Sequence, residues 1–144
     1  MTDPITTASW SYAEAFVAED DILSRARERA EEVGVVAIGP GGGAALRFLA
    51  SVLDARAVVE VGTGTGVSGL WLLRGMRSDG VLTTVDIETE HQRLARETFN
   101  DAGVPPQRDH DGLAPAPQRQ VGTVRRDPGP ARHHQRLELV GTGW

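Results

Sequence analysis

The sequence feature that most constrains the fold is an apolar run that ends in a glycine-rich turn. Residues 58–61 read as a buried strand, and three glycines follow at alternate positions within 62–66. Glycine tolerates positive φ angles and lets the backbone approach a ligand closely. An apolar helix at 69–73 and a second strand at 81–85 follow, and the second strand ends on Asp86. This order predicts the first half of a nucleotide-binding, Rossmann-like α/β sheet.

Two common kinds of glycine-rich nucleotide site fit this turn poorly. A phosphate-binding P-loop needs a Lys after its last glycine, and the sequence contains no Lys. The dinucleotide pattern G-x-G-x-x-G matches Gly64, Gly66 and Gly69 by letter. However, the apolar strand stops at Val61, so the turn begins at Gly62, and the pattern fails when it is started there. An NAD-binding oxidoreductase therefore stays a weaker alternative.

A third pattern, acid-x-Gly-x-Gly-x-Gly, fits in the register that the strand sets. Glu60, Gly62, Gly64 and Gly66 supply it, and it is the pattern of methyltransferases that use S-adenosylmethionine (SAM). SAM has no pyrophosphate and carries a sulfonium, so an acidic strand end and a close backbone suit it. A carboxylate such as Asp86, about 20 residues beyond the glycines, can accept both hydroxyls of a ribose. The alternative is a βα turn that binds nothing.

Three segments carry a resemblance to a known family. The segments 34–40, 60–73 and 81–88 resemble bacterial O-methyltransferases related to catechol and caffeoyl-CoA O-methyltransferases, and in particular their actinobacterial, mycobacterial-type members. The resemblance runs from about Ile22 to about Arg108. It implies a Rossmann-like SAM methyltransferase fold, of which this chain holds the N-terminal half. It also implies an enzyme that transfers a methyl group from SAM to a hydroxyl of a small molecule.

The resemblance also implies roles for individual residues. Ser68 would bind the carboxylate end of SAM, Asp86 the ribose, and Ile87 and Ile38 would contact the cofactor with apolar atoms. Each has a structural alternative, since Ser68 could cap its own helix, Asp86 could cap the predicted helix at 88–102, and Ile38 could be an apolar connector. The residues predicted to bind the cofactor are Ile38, Glu60, Gly62, Thr63, Gly64, Ser68, Asp86 and Ile87.

The catalytic residues and the metal ligands are not identified. Metal-dependent relatives carry an Asp at the end of a later strand, followed by further ligands and a base, so the resemblance allows a divalent metal such as Mg²⁺. Asp109, His110 and Asp111, and the pair 133–134, offer metal-binding atoms. Without a scaffold to fix them we expect them to be solvated, and we expect impaired catalysis.

The pattern breaks after about residue 108. Residues 109–144 are rich in Pro, Arg, Gly, His and Gln without a helical or strand period, and only 137–140 read as a strand. This composition predicts an irregular or disordered tail. It is either an interaction tail or the product of a shifted reading frame, which would make the chain a truncated methyltransferase. The predicted division is a flexible N-terminus at 1–10, a partial SAM-binding domain at 11–108 and the tail at 109–144.

Composition narrows the class of protein further. A chain of 144 residues suits one domain, and 0 Cys removes disulfides and thiolate metal sites. The net charge of -5 argues against nucleic acid as a partner. No signal peptide and no apolar run of about 18 residues is seen, so we expect a cytoplasmic protein without a membrane partner. An exposed sheet edge makes a non-catalytic, partner-binding protein an alternative, and the resemblance allows a homodimer.

Helices are predicted at 14–33, from near residue 42, and at 88–102. Gly34 is the expected C-cap of the first. Apolar residues recur at helical spacing in these segments and alternate with charged ones. Helix 14–33 is expected to pack on the core with a solvated charged face, and a lid or dimer contact is its functional alternative.

Overall fold

The computed structural model describes residues 6–104 in full, and the backbone alone of the strands at 119–127, 134–135 and 138–142. Helices and strands alternate from the third helix to the fifth, as the sequence predicts. The helices are α1 (Thr7–Ala15), α2 (Asp21–Glu32), α3 (Pro40–Val52), α4 (Val67–Gly75) and α5 (Thr89–Asp101). The strands are β1 (Ala57–Val61), β2 (Val81–Asp86), β3 (Arg119–Asp127), β4 (His134–Gln135) and β5 (Glu138–Thr142).

The strands form one sheet in the order β1-β2-β5-β3-β4. β1 and β2 are parallel, with Ala57 opposite Val81 and Val61 opposite Val85. This confirms the predicted parallel pair. The other edge of β2 pairs with β5 in parallel and, near Val81, with β3 in antiparallel orientation. Because β1 and β2 are parallel and in register, their carboxyl ends meet at one edge of the sheet, where the glycine turn begins.

The predicted helix at 14–33 is wrong as a single element, because it is two helices with a break at 16–20. The Asp20 side chain accepts a hydrogen bond from the backbone N–H of Leu23 at 3.1 Å and so begins α2. Gly34 follows α2 with a φ of 70°, as expected of a C-cap. The sequence hides the break because apolar residues keep a helical spacing across it.

The predicted flexible N-terminus is also corrected at its end. α1 begins at Thr7, inside the segment 1–10, because the Thr6 side chain accepts a hydrogen bond from the backbone N–H of Ser9 at 3.2 Å. Residues 1–5 lie outside the described residues. α1 has no buried residue, and Glu14 ties it to α3 by accepting from the Gly41 N–H at 3.0 Å.

Three strands lie within the segment that the sequence predicts to be irregular. β3 and β4 correct that prediction for 119–127 and 134–135, and β5 at 138–142 falls on the segment 137–140 that reads as a strand in the sequence. The rest of 109–144 lies outside the described residues. The physical reason is the free edge of β2. Backbone N–H and C=O groups at such an edge can pair with another strand whatever its side-chain pattern. The domain division itself stays a prediction.

The core lies between the sheet and the helices α2, α4 and α5. Leu23, Leu70, Leu73, Leu82 and Phe99 are each at most 1% exposed. The prediction of a buried strand at 58–61 is corrected, because no residue of β1 is buried. The opposite face of β1 has no cover among the described residues, so Val59 and Val61 are largely exposed. No helix in the described part of the chain is long and apolar enough to cross a membrane.

Candidate functional site

The turn after β1 has the backbone that the glycine pattern predicts. Gly62, Gly64 and Gly66 have φ angles of 95°, 50° and 87°, which side chains disfavour. Gly69 lies inside α4 and has no positive φ. The turn therefore begins at Gly62, in the register that the strand sets. A Cβ atom at Gly62 would have no neighbour within 4 Å, so this backbone faces open space.

A small open cleft of about 80 Å³ lies between the glycine turn and the segment that joins α2 to α3. One wall is apolar, and the other consists of the turn and the start of α4, including Ser68. The hydroxyls of Thr63 and Thr65 are bonded in the interior, to Thr84 and to the Ala26 carbonyl. The cleft is lined by Val35, Val36, Ala37, Ile38, Gly62, Thr63, Gly64, Thr65, Val67 and Ser68. An apolar wall facing a few fixed polar groups is typical of a small-molecule site.

Asp86 joins the end of β2 to the glycine turn. Its Oδ2 accepts a hydrogen bond from the Gly64 N–H at 2.8 Å, and its Oδ1 accepts from the Glu88 N–H at 2.9 Å. Glu88 is the N-cap residue of α5, and this helix has no side-chain capping hydrogen bond, so Asp86 holds the residue that precedes α5 but does not cap the helix. A carboxylate has about four acceptor positions. Asp86 therefore keeps the capacity to accept from a ligand at the turn.

Glu60 lies behind the cleft wall. Its Oε1 accepts from the Ser68 hydroxyl at 2.5 Å and its Oε2 from the Thr84 hydroxyl at 2.7 Å. Burial raises the pKa of Glu60 above its ordinary value, and the Asp86 charge adds to the rise, whereas the bonds from Ser68 and Thr84 oppose it. Glu60 thus acts on the cleft through Ser68, whose hydroxyl is committed to Glu60.

The raised pKa of Glu60 predicts a pH-dependent stability. Because the pKa of Glu60 is raised, the protonated carboxyl favours the folded state. This contribution to the free energy of unfolding is fully present below the ordinary pKa of 4.5 and is lost as the pH rises through the pKa of Glu60 in the folded protein. We expect wild type to lose free energy of unfolding relative to Glu60→Gln as the pH rises above 4.5. Urea denaturation at several pH values measures it. Glu28→Gln, on the exposed side of α2, is the charge-matched control, and parallel curves for wild type and Glu60→Gln would contradict the expectation.

The structure brings most of the predicted ligands together at the turn. Five line the cleft, whereas Glu60 and Asp86 lie beside it and are hydrogen-bonded to Ser68 and Gly64. Ile87 is outside the cleft wall and 73% exposed. Their roles toward a cofactor stay predictions. The five that line the cleft are Ile38, Gly62, Thr63, Gly64 and Ser68.

Sequence reasoning missed several residues of the site. Thr65, Val67 and 35–37 line the cleft, and Thr84 bonds Glu60. Thr84 lies two positions before Asp86 on a strand, and residues at that spacing share a face of the sheet. The two-residue period of the strand was therefore the sequence signal that could have identified Thr84 as part of the site.

The residues predicted to offer metal-binding atoms lie outside the part of the chain that the structure describes with side chains. Residues 109–111 and 133 lie outside the described residues, and the side chain of His134 is not described. Among the described residues, no three His, Cys, Asp or Glu side chains group as metal ligands would. The divalent metal stays a prediction.

A strand, a positive-φ glycine turn, a helix and a second parallel strand ending in an acid define a Rossmann-like, nucleotide-binding α/β domain. The profile of the O-methyltransferase family matches residues 13–113. The chain belongs to this family, as the resemblance implied.

Its relatives include mycobacterial proteins. The "Putative O-methyltransferase" of Mycolicibacterium vanbaalenii is 59% identical over 98 residues, which are 68% of this chain and 43% of that protein. The "Probable O-methyltransferase Rv1220c" of Mycobacterium tuberculosis H37Rv is 59% identical over 99 residues, 69% of this chain and 44% of that protein. The chain thus spans less than half the length of these relatives.

Solved structures show the same fold. The O-methyltransferase from Bacillus cereus in complex with S-adenosylhomocysteine (SAH) has 26% identity and a TM-score of 0.60, covering 68% of this chain and 46% of that one. TomG from Streptomyces achromogenes, an O-methyltransferase of tomaymycin synthesis in complex with SAM, has 27% identity and a TM-score of 0.62. That match covers 81% of this chain and 60% of TomG. These matches give the oxidoreductase alternative no support.

Proposed function

We propose that this chain forms the SAM-binding half of a SAM-dependent O-methyltransferase. The observation that carries the proposal is the bond from the Gly64 N–H to Asp86, which fixes a strand-end carboxylate against a positive-φ turn. A nucleoside ligand at that turn meets an acceptor for its ribose hydroxyls and a backbone without side chains. The SAH and SAM held by the Bacillus cereus enzyme and TomG support the choice of nucleoside.

The residues around the cleft fit this cofactor. Asp86 accepts the ribose hydroxyls, Ile87 offers its exposed side chain to the adenine, and Ile38 contacts the cofactor from the apolar wall. Ser68, at the start of α4, faces the amino-acid end, where Glu60 behind it supplies negative charge toward a cationic ligand. SAM supplies an activated methyl group on its sulfonium, and the chain's own residues contribute binding and orientation.

The acceptor in this proposal is a hydroxyl of a small molecule. We expect little or no methyl transfer by this chain alone, because it spans less than half of its relatives and neither a base nor metal ligands can be assigned. The cytoplasmic location and the homodimer stay predictions from the sequence.

Calorimetric titration of the purified, folded chain with SAH, and separately with NAD⁺, tests the proposal. We expect saturable binding of SAH and none of NAD⁺, because the turn follows the acid-x-Gly-x-Gly-x-Gly register. A radiolabelled methyl-transfer assay with a panel of catechols then measures turnover. A folded chain that fails to bind SAH would overturn the proposal, and rapid turnover would overturn the expectation of impaired catalysis.

One observation favours a second, non-catalytic function. Among the described residues β1 pairs only with β2, and its Val59 and Val61 are 73% and 87% exposed. A parallel strand is normally covered on both faces, so this surface suits a partner protein. A folded chain without SAH binding would leave partner binding as the function to pursue.

A further inference from the structure

A chain of hydrogen bonds runs beneath the glycine turn. The Thr84 hydroxyl lies 2.8 Å from that of Thr63 and 2.7 Å from Glu60 Oε2, and Glu60 Oε1 lies 2.5 Å from the Ser68 hydroxyl. Thr63 and Ser68 line the cleft, whereas Thr84 is fully buried in the middle of this series of hydrogen bonds. Two cleft residues on different elements are therefore joined through Glu60 and Thr84.

The direction of these bonds follows from counting protons. A hydroxyl has one proton, and that of Thr84 is donated to Glu60. Thr63 must therefore donate to Thr84. Glu60 then receives donors on both oxygens, from Thr84 and Ser68, which is the arrangement that suits an ionised carboxylate. Protonating Glu60 on the Thr84 side would reverse the Thr84 and Thr63 hydroxyls and so alter the cleft wall.

We propose that Thr84 is a positioning residue of the cofactor site, which holds the Glu60 carboxylate ionised and in place behind Ser68 and ties both to the turn through Thr63. This role rests on the proposed SAM binding, since its purpose is to present negative charge and an oriented hydroxyl to the cofactor's amino-acid end. Thr84 itself does not line the cleft, so it acts through its neighbours.

The surroundings of Glu60 make the role measurable. Burial and the nearby Asp86 both raise the pKa of Glu60, whereas the hydrogen bonds from Ser68 and Thr84 lower it. His91 Nδ1 lies 3.5 Å from Asp86 Oδ1, on the side of Asp86 that faces α5. Removing the Thr84 hydroxyl takes away one opposing bond, so the pKa of Glu60 rises further. If SAH binding requires ionised Glu60, the affinity for SAH then begins to fall at a higher pH when the solution is acidified.

The test uses Thr84→Val, which removes the hydroxyl and keeps the branched shape. Thr83→Val is the matched control, because Thr83 is the neighbouring position on the same strand, half-buried and directed to the other face of the sheet. Thr84→Ser restores the hydroxyl. We expect Thr84→Val to weaken SAH binding about five- to tenfold at neutral pH. We also expect it to raise the pH at which the affinity for SAH falls on the acid side. Thr83→Val leaves both unchanged and Thr84→Ser returns them toward wild type.

A second measurement keeps the role separate from cofactor binding. The Glu60 carboxyl is titrated by carbon NMR in the free protein, where Thr84→Val is expected to raise its pKa and Thr83→Val is not. If wild type fails to bind SAH while this shift is seen, the proposed function fails and the link from Thr84 to Glu60 stands. An unshifted Glu60 in Thr84→Val, or an equal shift in Thr83→Val, overturns the role of Thr84.

Discussion

Phe99→Ala is expected to lower the free energy of unfolding by about 3–5 kcal/mol, the range for emptying a fully buried aromatic site. Phe99 is 0% exposed and lies on α5 beneath the turn. A Cβ at Gly66 or Gly69 would lie only 3.1 or 3.0 Å from its ring, so the ring fills the space under these two glycines. Loss of the ring leaves a cavity that the backbone at the start of α4 cannot readily move into and fill.

Chemical denaturation of Phe99→Ala and Phe48→Ala measures the effect. Phe48 lies on α3 and is 64% exposed, so the same deletion there is expected to cost less than about 1 kcal/mol. We also expect Phe99→Ala to weaken SAH binding at temperatures where it is still folded, because the ring supports the turn. Equal costs for the two variants would contradict the packing described for Phe99.

Asp86→Ala is expected to lower the affinity of the chain for SAH at least about 100-fold, or about 2.7 kcal/mol. Hydrogen bonds to a charged group contribute about 1.5–3 kcal/mol each, and the variant removes the proposed acceptor of the ribose hydroxyls. It also frees the N–H groups of Gly64 and Glu88, which Asp86 now binds. The turn and the start of α5 therefore lose their connection.

Calorimetry with SAH measures the loss, and thermal unfolding shows whether the variant is folded. Asp79→Ala removes the same charge from the turn before β2, where Asp79 pairs with Arg77, and is expected to bind SAH like wild type. Asp86→Asn keeps one acceptor oxygen and should fall between Asp86→Ala and wild type. Wild-type affinity in a folded Asp86→Ala variant would show that the strand-end acid is not a ligand.

The strand, the turn and the helix could be predicted because their signals are local. Three of the four residues at 58–61 are valines, and the alternating glycines of 62–66 occupy the positions that adopt positive φ. The break between α1 and α2 was missed because Asp20 was read as one charge among several on a continuous helix. β5 falls on the strand-like segment 137–140, whereas β3 was missed because it pairs with β2 and β5 through backbone atoms, whatever its side-chain pattern.

The sequence by itself determined the class of site, since acid, glycine and strand-end acid at fixed spacing follow from how a βαβ unit presents its carboxyl edge. Only the tertiary structure decided how the acids are used. It turns Glu60 away from the cleft onto Ser68 and Thr84, and it binds Asp86 to the Gly64 N–H. Those partners lie 8, 24 and 22 residues away along the chain. Contacts at such separations arise from the register of β1 on β2 and the packing of α4, which no local pattern records.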